Sequence, residues 1–443
     1  MPSFAAPDSS WRFAATVFLT TAAAFAAPAR AQSPPSSRMN GPVFAATDTV
    51  LELAALERLV LERNPSYAVA TAAVREAEAR ADRAGALDDP TLEFGVAPRS
   101  LGASNVEAGW RASISQSLPL FGQRGLRRRA ESAGAAAVRE RREIARLDLI
   151  RAARAAFFDD YHNEQARITA LEALEWMRRA RAAALARYAA GTAPQQDVLA
   201  ADVEIAMLDH QAVLAERNRL LIEARLRALL HVDPLAALPA PPDTLPLPDG
   251  DAARLLVMRS NELTRPEILG AQAEVESARA RLALAGAERW PGTRFGFGYD
   301  RTMAEPEYRP VAMVSLDLPL SRGLHAAAGR EAQAALDGAA ARLDATRDEL
   351  LRRITEASAE FEESLHELEV LREGLLPAAE RAQLAARAAY ESGRGDFNSV
   401  IRAVRDVLNA RLEAHRTLSA VNQAHAELER ALGGPAPAAK ESK

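Results

Sequence analysis

The chain has 443 residues, 48% of them hydrophobic but only 5% aromatic, and a formal net charge of −5. The length suffices for two or three ordinary domains, the apolar share is mostly Ala and Leu and favours helix, and the mild acidity argues against a nucleic-acid partner, whose phosphates need a basic face. With no cysteine in the chain, disulfides, thiolate metal sites, Cys nucleophiles and lipid attachment at an N-terminal Cys are excluded.

The first residues look like an export signal. Arg12 is a basic start, residues 13–27 are an apolar run, and Ala29-Arg30-Ala31 gives small residues at the A-x-A spacing, with cleavage expected before Gln32. The run is shorter than the roughly 20 residues of a spanning helix, and no later segment is apolar enough to span. Residues 1–31 are thus read as a signal peptide and 32–47 as an N-terminal extension.

Beyond that point the chain repeats itself. Placing Pro65 on Pro266 also places Gly85 on Gly286, Pro90 on Pro291 and Phe94 on Phe295. Nearly the same offset pairs Leu118-Pro119-Leu120 with Leu318-Pro319-Leu320, and Tyr188-x-x-Gly191 with Tyr390-x-x-Gly393. Residues 48–231 and 252–432 read as two structural repeats, with a Pro-rich linker at 232–251 and a tail at 433–443. The period is too long for a solenoid. Each repeat predicts a short helix (51–63; 252–262), a helix that opens on Pro (65–87; 266–288), two strands, a very long helix (123–188; 324–390), a Gly turn and a returning helix (194–231; 396–432).

The strands alternate with period two. Leu92, Phe94 and Val96 oppose Glu93 and Gly95; Val106, Ala108, Trp110, Ala112, Ile114 and Leu118 oppose Arg111, Ser113, Ser115 and Ser117. The second repeat sets Phe295, Phe297 and Tyr299 against Arg294, Gly296, Gly298 and Asp300, and Val314, Leu316 and Leu318 against Ser315 and Asp317. A half-buried soluble sheet would show this pattern, and so would a transmembrane barrel with lipid on one face and water on the other. Export and the lack of a spanning helix favour the barrel.

Four strands cannot close, and a bilayer tolerates only closed barrels or helices. Two chains would give eight strands and a filled interior; three would give twelve and a pore. The expected assembly is a homotrimer. The long helices, about 65 residues or roughly 100 Å at 1.5 Å per residue, match the two shorter helices of each repeat stacked end to end. At the two Leu-Pro-Leu joints the wall changes from strand to helix. Pro119 and Pro319 end the ladder, and Gly122 and Gly323 are expected to permit the bend. The fold class is therefore mainly α with a small β part, a duplicated β-barrel/α-barrel.

These features resemble the TolC family of outer-membrane efflux proteins over essentially the whole mature chain. The resemblance is carried by the helix starts at Pro65 and Pro266, the two joints, and the turns "YAAGTAPQQDVL" and "YESGRGDFNSVI". "LEFGVA", "SISQSLPLFGQRG" and "GRGDF" are most similar to the branch that works with heavy-metal exporters of the resistance-nodulation-division class. The resemblance implies a trimeric outer-membrane barrel set in lipid, continued by a periplasmic α-barrel that docks with a periplasmic adaptor (membrane fusion protein) and an inner-membrane resistance-nodulation-division transporter. It places adaptor docking at the hairpin tips, here Gly191, Thr192, Asp197, Gly393, Arg394 and Gly395. It also places a constriction at the same end, here among Asp396, Ser399, Arg402, Arg405 and Asp406, with Arg402 and Asp406 on one helix face. Many relatives carry a lipidated N-terminal Cys; this chain has none.

Chemistry is sparse. His162, His210, His231, His325, His366, His415 and His425 form no ligand spacing and read as surface helix residues. There is no G-x-S-x-G, no P-loop, and "GFGYD" is followed by no helix start. No enzyme activity, cofactor or metal site is expected. A passive efflux duct is the expected function, for heavy-metal cations or small toxic compounds. The alternatives are a type I duct for protein secretion and a periplasmic coiled-coil adaptor or structural protein.

Overall fold

The computed structural model describes residues 44, 49–97, 109–250, 257, 265–303 and 305–434. The expected signal peptide, nearly all of the extension, Val106 and Ala108, most of the helix expected at 252–262 and residues 435–443 lie outside the described residues.

In chain order the elements are α1 (Leu53–Arg63), α2 (Pro65–Ala84), β1 (Thr91–Val96), β2 (Trp110–Ser117), α3 (Gln123–Ala189), α4 (Gln195–Leu230), α5 (Pro266–Ala287), β3 (Gly292–Asp300), β4 (Pro310–Asp317), α6 (Arg322–Glu369), α7 (Leu376–Glu391) and α8 (Phe397–Ala431). α3 has 67 residues, roughly 100 Å of helix at 1.5 Å per residue. The second long helix is not continuous as the sequence predicts. A π-helical turn, Val370–Leu375, joins α6 to α7. Pro377, in the first turn of α7, lacks an N–H and crowds the preceding turn, and the wider π geometry accommodates it.

The four strands form one antiparallel sheet in the order β1-β2-β3-β4. Its register puts the expected apolar residues on one face: Leu92 sits opposite Ile114, Phe94 opposite Ala112, and Val96 opposite Trp110. Across the next pairs Ile114 meets Phe297, and Phe295 meets Val314. Leu92, Phe94, Ile114, Phe297 and Val314 are all exposed. Aromatic rings gather at both ends of this face. Trp110 lies 6.2 Å from Phe94 and 5.6 Å from Tyr299 at one end, and Phe121 stacks on Trp290 at 5.0 Å at the other. An apolar band between aromatic rings is the pattern of a membrane barrel's outer surface. The opposite face carries Ser and Gly, tightly packed. A Cβ on Gly298 would come within 2.8 Å of the Ser113 Cβ and 2.9 Å of the Ala112 carbonyl oxygen.

The two joints differ. After Pro119 the chain turns through Phe121 (φ 58°) and Gly122 (φ 77°) before α3 starts, and the Gln123 amide donates to the Ala287 carbonyl at 2.9 Å. Gly122 has the left-handed backbone of such a turn. Gly323 does not, because it lies inside the first turn of α6 and its φ is not positive. There the bend is made earlier, where the Leu320 N–H donates to the Leu318 carbonyl at 2.9 Å.

The helices line up as four columns. α3 takes α2 and α4 on one side and α5 and α8 on the other; α6 and α7 pack on α5 and α8 from beyond. The column order α2/α4, α3, α5/α8, α6–α7 repeats the order of the strands. Asn64 joins α2 to α4: its Oδ1 accepts the Ser66 N–H at 2.9 Å, and its Nδ2 donates to the Leu229 carbonyl at 2.9 Å. Both layers are open among the described residues. β1 and α2/α4 make one free edge, and β4 and α6–α7 make the other.

Apolar burial is concentrated in two places. The middle of the wall buries Leu56, Phe157, Leu226, Ile268, Phe361 and Val421; the far end buries Met177, Val198, Leu208, Phe397 and Val404. Nearer the sheet, α3 and α5 touch through Ala130, Gly134, Gly270 and Ser277, whose small side chains let the axes close up. His162, His415 and His425 are half-buried against neighbouring helices rather than on the surface. Tyr161 and His415 share a hydrogen bond of 3.2 Å, and burial lowers the pKa of all three imidazoles.

Candidate functional site at the hairpin tips

Both hairpins end the same way. In the first, the Gly191 N–H donates to the Tyr188 carbonyl and the Thr192 N–H to the Arg187 carbonyl, each at 2.9 Å. In the second, the Gly393 N–H donates to Tyr390 at 3.0 Å and the Arg394 N–H to Ala389 at 2.9 Å. These paired bonds are the Schellman closure of a helix, and they need a left-handed residue after the cap. Gly191 (φ 71°) and Gly393 (φ 76°) supply it. A Cβ on either glycine would meet nothing within 4 Å, whereas one on Gly395 would press on Ala389 at 3.0 Å. Gly191 and Gly393 are open surface; Gly395 is a packing position.

The charged residues expected at a constriction have separate roles. Asp396 caps α8, accepting the Ser399 N–H at 2.7 Å, and the Ser399 hydroxyl donates back to the Asp396 carbonyl at 2.7 Å. Arg405 leaves that group and crosses to α4, where its Nε donates to Glu204 at 2.7 Å. The Glu204 side chain is only 4% exposed. The hydrogen bond to Glu204 raises the Arg405 pKa. Arg402 and Asp406 are exposed on α8, and among the described residues no ion pair joins them.

A second contact ties the hairpins together. The Tyr390 hydroxyl donates to Asp197 at 3.3 Å. Arg187 donates to the Tyr390 carbonyl at 2.6 Å and lies over its ring, 4.3 Å from the centroid. Tyr390 also packs on Phe397 at 5.2 Å. Burial, then the Asp197 carboxylate, raises the Tyr390 pKa. A cavity of about 500 Å³ opens beside these residues, lined by Trp176, Arg179, Arg187, Arg387, Tyr390 and Phe397. Glu204, Arg187 and the Tyr390 hydroxyl are absent from the sequence-based site. Their partners lie 193 to 203 residues away in sequence, and only the repeated Tyr-x-x-Gly pointed there.

The arrangement is two rigid turns with open glycines, latched by three polar contacts between hairpins. Among the described residues no group of three or more His, Asp or Glu is arranged to hold a metal, and no helix is long and apolar enough to cross a membrane.

Comparison with known proteins gives the family. The model of the family "Outer membrane efflux protein" matches residues 56–231 and 259–434, one segment in each repeat. The cobalt-zinc-cadmium resistance protein CzcC of Cupriavidus metallidurans is 27% identical over 171 residues, 38% of this chain and 40% of that protein. The aligned part thus spans well under half of that relative. The outer membrane protein VceC of Vibrio cholerae superimposes with a TM-score of 0.73 at 19% identity, covering 86% of this chain and 96% of that one. CusC superimposes with a TM-score of 0.73 at 17% identity, covering 86% and 92%. The chain belongs to the outer membrane efflux protein family and is an outer-membrane protein whose long helices extend into the periplasm.

Proposed function

We propose that the chain is the outer-membrane duct of a tripartite efflux pump, acting as a homotrimer that conducts solutes passively from a periplasmic adaptor and an inner-membrane transporter to the exterior. The observation that carries this is the pair of free edges. β1 and β4 have unpaired backbone groups that a bilayer does not tolerate. One copy's β1 can pair only with another copy's β4, and three copies of four strands give a barrel of twelve. The helix layer asks for the same neighbour. α4 exposes Leu199, Val203, Met207 and Leu221 on one edge, and α6–α7 with the π turn exposes Leu351, Val370, Leu375 and Leu384 on the other. Apolar residues on two complementary edges make a head-to-tail contact that closes on itself.

The tips are the docking surface for the adaptor, with Gly191, Thr192, Gly393 and Arg394 outermost, and the latches Arg405–Glu204 and Tyr390–Asp197 hold the tunnel narrow at rest. The energy comes from the partner transporter, and no catalytic step belongs to this chain. Heavy-metal cations are the favoured cargo, supported by the name of the Cupriavidus relative; protein secretion is the rival. Native mass determination in detergent tests the core of this reading. A trimer is expected, and a stable monomer would refute it. Comparing metal sensitivity with and without the gene decides the cargo: unchanged tolerance to cobalt, zinc and cadmium would remove the metal assignment and leave the duct.

A further inference from the structure

A cavity of about 490 Å³ lies on the helix wall between the sheet and the middle of the tunnel. Ala77 of α2, Ala137 of α3, Ala278 of α5 and Ala339 of α6 all line it. Helix axes in contact stand about 8–10 Å apart, so a flat wall would separate α2 from α6 by about 25–30 Å. Short Ala side chains from both can border one cavity of this size only where the wall is concave. The cavity therefore faces the axis about which the columns curve.

Its charges do not balance. Arg80, Arg141, Arg281 and Arg342 face Glu131 and Glu274. Arg141 pairs with Glu274, Arg281 reaches Glu131 at 3.7 Å, and Arg80 is held by Glu76 at 2.5 Å. Arg342 also borders the adjoining cavity, where Arg353 takes Glu349 at 2.6 Å and Arg430 takes Glu267 at 2.6 Å. Every carboxylate of the two linings is occupied by an arginine, and Arg342 is left over. Its Nη1 lies beside Gly338 of its own helix, with no carboxylate partner among the described residues.

We propose that Arg342, seconded by Arg141 and Arg281, forms an oxyanion-binding site in the upper tunnel, one per chain, that takes phosphate-bearing solutes. A guanidinium offers paired N–H donors that match a phosphate group, and Arg342 is exposed and so open to a solute, while the concave wall focuses the field of the uncompensated charge. That the site faces the conducting path rests on the trimeric duct reading; the binding itself is a property of one chain's wall. A consequence is that cations cross this zone together with anions rather than bare.

The probe is inorganic pyrophosphate, titrated calorimetrically into the full-length detergent-solubilised protein at low ionic strength. Saturable binding of one equivalent per chain is expected, lost in Arg342→Gln, retained in Arg342→Lys and weakened by added salt. The trication spermidine is expected not to bind there. No binding, or equal binding by Arg342→Gln, overturns the site. Single-channel recording then tests its placement. Pyrophosphate is expected to reduce wild-type conductance and to leave Arg342→Gln unaffected. Binding with no effect on a conducting channel overturns the tunnel-facing assignment alone, whereas a monomeric sample that binds pyrophosphate overturns the duct reading and keeps the site.

Discussion

Gly191 and Gly393 allow a clean separation of docking from folding. Their φ angles near +70° disfavour other residues by about 1–2 kcal/mol, but a Cβ at either position meets open space. Gly191→Leu and Gly393→Leu should therefore leave trimer yield on native gels intact while abolishing efflux in a sensitivity assay. Gly395→Leu should lower yield as well, because its Cβ would meet Ala389. Arg405 tests the latch. Removing it strands the buried Glu204 carboxylate, at a cost of about 1–3 kcal/mol for an unsatisfied buried group. Arg405→Ala is expected to raise single-channel conductance and admit large antibiotics. Conductance at the parent value would show that the tip is held elsewhere, with Arg402 and Asp406 across copies the next candidates. Asp160 on α3 adds a pH signature. Burial first, then Glu223 and Glu164, raises its pKa from the ordinary 3.8 to about 6. A raised folded-state pKa means stability is greatest below about 4 and is lost as pH climbs through about 6. Asp160→Asn should raise the melting temperature at neutral pH, by an amount corresponding to at most about 3 kcal/mol, and flatten the acid side of the pH profile.

At the scale of elements, the sheet was the most legible part of the sequence. Alternation over six to nine residues fixes which side chains share a face, and the register joins those faces without a slip. Phe297→Arg, in the middle of the apolar face opposite Ile114, puts a charge on the lipid side, costs about 2–4 kcal/mol near the midplane, and should deplete the protein from the outer-membrane fraction. Arg111→Ala on the other face should not. The helix bounds were legible to within a few residues, because Pro65, Pro266, Gly191 and Gly393 mark starts and stops by their own backbone chemistry. The π turn was not. Its only trace is Pro377, which falls inside the helix predicted over 324–390 and is in the first turn of α7. The Asn64 bridge to Leu229 and the Arg405 bridge to Glu204 were also illegible. Each joins residues more than 160 positions apart, and nothing local distinguishes them from a cap and a solvated arginine.

For the whole molecule, the matching order of strands and columns means that one interface serves both membrane and periplasm. α3 and α5/α8 are the two inner columns and both edges are left for neighbours, so on the proposed trimer the chain is a third of an object rather than a small object. In the sequence this reading rests on a strand count too low to close. Helix-edge residues such as Leu199 and Leu384, each more than half exposed, look like ordinary surface scatter until the column order shows that they lie on opposite rims.

The open edges have a genetic consequence. In a head-to-tail ring each copy contributes one β1 edge and one β4 edge, and every edge is needed to seal the barrel. A chain whose β4 edge is spoiled, for example by Val314→Pro, still offers a sound β1 edge and so still enters rings. Co-expressed in equal amount with the parent and mixing at random, it would leave only about one ring in eight free of the defect. Such an allele should behave as dominant negative, with efflux falling to roughly an eighth of the parent level although half the chains are sound. Efflux at half the parent level would indicate that each chain works alone.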